Sequence, residues 1–255
     1  MQPLTTLRSR LLQLALVLGV GCAAPGAQAP EGDAPEATVS DAGGVSARVR
    51  CVSPAGAPSS PRSIAEVVDL LNAMPKPVTL PCFLDSLTGA LPMQAANSVF
   101  SAQPAVGRRS PRIFLFLDPL VLSVVPAGNG SQLLEFGERR GEDQSLKAEL
   151  EFPITSELDT ASPFARLPFD ETISSCGFCH QHEVAAPEID VPFAMISPAM
   201  RPRPAQRVPL AELQAELDAC DPEVEPDRCA MLDALFGRDA PPIEWDFPAT
   251  YPTFF

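Results

Sequence analysis

Residues 146–152 place the tightest constraint on how this chain can fold. Leu146, Ala148, Leu150 and Phe152 alternate with Lys147, Glu149 and Glu151. A side-chain period of two belongs to a β-strand with one buried face, so the apolar set is expected to point inward and the charged set outward. Three more apolar runs precede it, Arg112–Asp118, Leu120–Val125 and Gln132–Glu138. Turn residues at Pro126–Gly130 and a polar loop over Arg139–Gln144 separate them. Together they predict an antiparallel meander or small sandwich within residues 98–153.

Helical patterns lie on both sides of this region. Ser63 and Glu66 form a capping-box pair ahead of Ile64, Val67, Val68, Leu71 and Met74, which share one helical face. Pro75 and Pro77 stop that helix. Near the C-terminus, Pro209–Ala219 and Pro226–Phe236 each begin with proline at a first-turn position, and Gly237 ends the second. The fold class expected is α+β: a small antiparallel β region flanked by an N-terminal helix and a C-terminal helical hairpin. An apolar fraction of 45% is enough to build its core. The aromatic, proline-rich tail from Trp245 to Phe255 is expected to pack over the body.

The N-terminus reads as an export signal. Arg8 and Arg10 precede an apolar run of ten residues, Leu11–Val20, which suits a signal-peptide core and is too short to span a bilayer. The following Leu18-Gly19-Val20-Gly21-Cys22-Ala23 resembles the lipobox of bacterial lipoproteins. That resemblance implies lipidation of Cys22, a membrane attachment through the lipid and, with Ala23 after the cysteine, an outer-membrane protein facing the periplasm or cell surface. Residues 22–47 are rich in Ala, Pro, Gly and acids and read as a disordered tether. The expected organisation is signal peptide 1–21, lipid-anchored tether 22–47, helix plus β region 48–160, and a C-terminal part 161–255. The formal charge of −14 excludes the basic surface that nucleic-acid binding needs.

Export places the cysteines in an oxidising compartment. With Cys22 lipidated, Cys51, Cys82, Cys176, Cys179, Cys220 and Cys229 remain, and six cysteines allow fifteen pairings. The chain has two histidines, and both sit in Cys176-Gly177-Phe178-Cys179-His180-Gln181-His182. The first five residues resemble the C-x-x-C-H attachment site of c-type cytochromes. The resemblance implies a covalent haem c held by Cys176 and Cys179, with His180 as an iron ligand. Electron transfer with a redox partner protein is then expected, in a carrier rather than an enzyme. Met200 and Met231 are candidates for the second iron ligand, and Met195 lies nearby. Phe164, Phe169, Phe178 and Phe193 are candidates to line the pocket. With the haem in place, four cysteines remain and allow three pairings, of which Cys51–Cys82 with Cys220–Cys229 is the local one.

Three other readings stay open from the residues alone. Zinc would take Cys176, Cys179 and His182 with His180 or Glu183. Thiol–disulfide exchange would use the C-x-x-C itself. The third is a non-redox binding or structural lipoprotein with a Cys176–Cys179 disulfide and no cofactor.

Overall fold

The protein is seen in a computed structural model that describes residues 49–97 and 103–253. The segments read as signal peptide and tether, Cys22 included, lie outside them. Helix α1 (Ile64–Ala73) starts where the capping pattern places it, with Ser63 Oγ accepting the Glu66 N–H at 3.1 Å. Glu66 returns its carboxylate to the N–H of Arg62 at 2.6 Å, one residue further back than a capping box requires. Met74 is extended ahead of Pro75, as a residue before proline prefers. A short α2 (Leu80–Ser86) follows, capped by Thr79, then the strands β1 (Pro92–Ala96), β2 (Arg112–Phe116), β3 (Leu120–Val124), β4 (Leu133–Arg140) and β5 (Gln144–Glu151).

Half of the region read as a polar loop, Arg139, Arg140 and Gln144, is strand. Arg140 pairs with Gln144, and only three residues turn the β4–β5 hairpin, with Gly141 at φ 77°. Glycine takes that left-handed conformation at the first turn position without steric cost. The C-terminal half then adds strands to the same sheet: β6 (Val184–Ala185), β7 (Met195–Pro198), β8 (Arg207–Val208) and β9 (Ile243–Glu244). The strand order is β6-β7-β5-β4-β3-β2-β1-β8, with β9 beside β1. All these pairings are antiparallel except β9 with β1. Helices α3 (Leu210–Asp218) and α4 (Pro226–Phe236) complete the α+β body. Strands from both sides of residue 160 therefore share one sheet, and residues 46–255 form one unit.

One sheet face supplies Ile113, Leu115, Leu122, Val124, Leu134, Leu146 and Leu150 to the main core, together with α1, α2 and α4. Each large apolar side chain buried there contributes about 1.5–3 kcal/mol. Disulfides join Cys51 to Cys82 and Cys220 to Cys229. The first ties the chain before α1 to α2; the second ties the end of α3 to the first turn of α4. For loops of 31 and 9 residues, the chain-entropy argument assigns about 3–4 and about 2.5 kcal/mol.

The alternation in β5 holds in direction but not in exposure. Lys147 and Glu149 turn away from the main core, yet they are only 8% and 7% exposed, and Glu151 alone is open to solvent. The segment leading to β7 and the C-terminal tail fold back over this face.

Candidate functional site

The second sheet face is the floor of a cleft of about 970 Å³, at the upper end of the range for small-molecule and cofactor sites. Two rungs cross the floor. Phe114, Ser123, Glu135 and Glu149 form one; Phe116, Val121, Gly137 and Lys147 form the other. Cys176, Phe178, Cys179 and His180 come from the covering segment, Met200 from just past β7, and Trp245, Phe247 and Tyr251 from the tail. Phe247 stands edge-on to Phe114 and Phe116, with ring centroids at 5.0 and 4.8 Å.

The C-x-x-C-H segment is one helical turn. Residues Ser175–Phe178 are 3₁₀-helical; Cys176 C=O accepts the N–H of Cys179 at 3.1 Å and of His180 at 2.8 Å. Positions i, i+3 and i+4 of such a turn share one face, so both thiols and the imidazole reach the same cleft. Ser174, fully buried, caps the turn: its Oγ accepts the N–H groups of Cys176 and Gly177 at 3.1 and 3.3 Å. Glu183 holds the cap in turn. Its carboxylate accepts the Ser174 hydroxyl at 2.5 Å and the Ser174 N–H at 3.1 Å.

The His180 ring is oriented by Pro198, whose C=O lies 2.8 Å from Nδ1. A carbonyl only accepts, so Nδ1 carries the proton and Nε2 carries the lone pair. This is the tautomer of a metal-ligating histidine with an oriented ring. Burial, and then the nearby Lys147 charge, push the imidazole down to about 3, so it is neutral at physiological pH. Burial and then Glu135 push the Cys176 thiol up to about 12. A thiol held so firmly in its protonated form is the opposite of the activated cysteine of thiol–disulfide exchange. Cys176 and Cys179 are not joined by a disulfide.

The floor is polar at its centre. The Arg112 guanidinium donates to Ser123 Oγ at 2.9 and 3.1 Å and pairs with Glu135. Arg166 pairs with Glu149 at 3.1 Å; burial nevertheless raises the Glu149 carboxyl above its ordinary range. Lys147 Nζ donates to Ser145 Oγ at 2.7 Å, and burial lowers its amine to about 8.

Of the iron-ligand candidates, His180 and Met200 line the cleft. Met231 does not: it is 4% exposed within α4 in the main core, because its helix packs on the other sheet face. Met195 is half-buried on β7. Among the aromatic candidates only Phe178 lines the cleft. Phe164 is in the core, Phe169 is exposed and packs edge-on to Phe178 at 4.5 Å, and Phe193 packs against the core. His182 is exposed at φ 67°. Among the described residues no three His, Cys, Asp or Glu side chains are placed to hold a metal ion, so the zinc set is not assembled, and Glu183 is engaged by Ser174.

Sequence reasoning missed Phe114, Phe116, Phe247, Arg112 and Lys147 as site residues. One signal pointed to the last: the chain has two lysines against sixteen arginines, and one of them stands in its clearest strand. Compared with protein-family models, curated proteins and solved structures, the chain matches none.

Proposed function

We propose that this chain is an exported lipoprotein carrying one c-type haem in the cleft, through which it transfers electrons. The observation that carries this reading is the shared helical turn: Cys176, Cys179 and His180 open together onto a cleft of cofactor size. Cys176 and Cys179 would hold the haem through thioether bonds, each thiol's Sγ going to one vinyl carbon and its proton to the other, so that no separate oxidant is needed. His180, held in direction by Pro198, would offer Nε2 to the iron. The haem supplies a one-electron redox centre. Phe114, Phe116 and Phe247 exclude water from one end of the cleft, and Ser174 with Glu183 keeps the attachment turn in shape. The leader supports the reading, since haem is attached outside the cytoplasm, and an acidic chain suits a basic redox partner.

The test is periplasmic expression with c-type maturation machinery, followed by a reduced-minus-oxidised visible spectrum and haem staining of a denaturing gel. A sharp c-type α band and a stain that survives denaturation, both lost in Cys176→Ala, are expected. A colourless, unstained protein beside a matured control cytochrome rejects the haem and leaves a binding or structural lipoprotein.

A further inference from the structure

We propose that Phe169 and Phe178 form the centre of the surface on which the redox partner docks, and that this partner is a protein presenting an apolar spot ringed by lysines or arginines. The inference rests on the haem reading above and deepens it. Phe178 lines the cleft and is still 53% exposed, so its ring stands at the mouth. Phe169 is 62% exposed and packs edge-on against it, with ring centroids 4.5 Å apart. Ile173 is exposed on the same turn as Phe169. That turn is tightly braced. Asp170 Oδ1 accepts the Thr172 N–H at 2.7 Å, the Thr172 hydroxyl at 2.9 Å and the Ile173 N–H at 3.0 Å. Ile173 C=O accepts the Phe169 N–H at 3.1 Å, and Leu167 C=O accepts the N–H of Ser175, where the turn of Cys176 begins, at 2.7 Å. Hydrogen bonds thus hold two touching aromatic rings out in water, and such an exposed apolar patch marks a site of protein contact.

Charge chooses the partner. Residues 167–200 hold five acids, Asp170, Glu171, Glu183, Glu188 and Asp190, and no lysine or arginine. Arg166, at the border of that stretch, is already paired with Glu149 and Glu151, and Arg140 answers Glu188. Asp170 and Glu171 are exposed on the turn that carries Phe169, and among the described residues neither has an ion-pair partner. An apolar centre beside unpaired carboxylates attracts a basic protein. It repels a second copy of this chain, whose own acids would meet these.

The experiment uses the full, matured chain in its native cells, with the photo-cross-linker benzoylphenylalanine in place of Phe169. The same cross-linker in place of Val224, exposed between Glu223 and Glu225, controls for chance contact with an acidic surface. Position 169 is expected to capture one protein of net positive charge that position 224 does not capture. That protein, purified, is expected to exchange electrons with the reduced haem. Its second-order rate should fall about tenfold in Phe169→Ser, as for an aromatic anchor. It should fall about threefold in Glu171→Lys at low salt, a difference that closes at high salt. Neither side chain lines the cleft, so both variants are expected to keep the wild-type haem spectrum. No adduct at 169, an adduct to a second copy or to an acidic protein, equal capture from 224, a captured protein that takes no electron, or a rate unchanged in either variant overturns the inference, while the wild-type spectrum keeps the haem reading intact. A wild type without haem rejects that reading instead, and the two cross-linking positions then still decide whether this surface docks a basic protein.

Discussion

Gly177 shows how a single residue sets the turn that carries Cys176, Cys179 and His180. A Cβ there would stand 2.5 Å from Glu183 Oε2 and 2.9 Å from its Cδ. The carboxylate can swing away, but it then abandons both of its hydrogen bonds to the buried Ser174. Gly177→Ala is therefore expected to lose about 1–3 kcal/mol in urea unfolding, the usual cost of leaving a buried polar group unpaired, and to lower haem attachment. Wild-type values for both would show that Glu183 does not organise the turn. His180 yields a second expectation, for the chain expressed without haem. Its pKa falls from 6.5 unfolded to about 3 folded, so below pH 6.5 the unfolded state binds a proton that the folded state refuses. Stability should fall as pH drops from 6.5 towards 3, by roughly 4 kcal/mol in all. Asp159 and Asp170, whose carboxyls are lowered by local hydrogen bonds, also lose stabilisation in acid. The difference between wild type and His180→Gln isolates the imidazole; equal acid slopes in the two would refute its burial as a neutral ring. The grouping of Cys176, Cys179 and His180 was legible residue by residue because one helical turn brings them together, with no help from distant chain. Met200 over Met231 was not legible, because spacing along the chain says nothing about which sheet face a helix covers.

At the scale of elements, a strand was readable where its sequence alternates or runs apolar, as in β5 and β3, whatever covers it, and not where it does neither. Four of the five residues of β1 are buried, so its sequence PMQAA shows no alternation. Helix α2 is too short, at seven residues, to show a period. Strand β4 carries the element-level prediction. Gly137 lies on the cleft floor between Val121 and Lys147, and an added Cβ would meet Ser145 only at ordinary contact, 3.7 Å. A glycine inside a strand leaves room for a close approach by another group, and on the haem reading that group is the cofactor. Gly137→Ala should leave haem attachment unchanged. Gly137→Phe should fill the cleft, abolish haem staining and leave the thermal midpoint of the haem-free chain within a few degrees of wild type. Full haem staining of Gly137→Phe would place the cofactor elsewhere.

The whole molecule divides its labour between the two faces of one sheet. The face towards α1, α2 and α4 is aliphatic and holds the fold; the other presents aromatic and charged side chains to the cleft. The sequence by itself determined the α+β class, the span of α4, the direction of each β5 side chain and the grouping of two thiols with an imidazole. These follow from neighbours within one turn or one strand, where geometry is set by local period. Only the tertiary structure decided that the outward face of β5 is covered, that Phe247 meets Phe114 and Phe116, and that Lys147 sits in the same cleft as His180. Those contacts join residues 30 to more than 130 positions apart, through strands such as β7 and β9 that are too short to announce themselves. A two-residue period states that one side of a strand is apolar; what lies over the other side depends on where the rest of the chain returns.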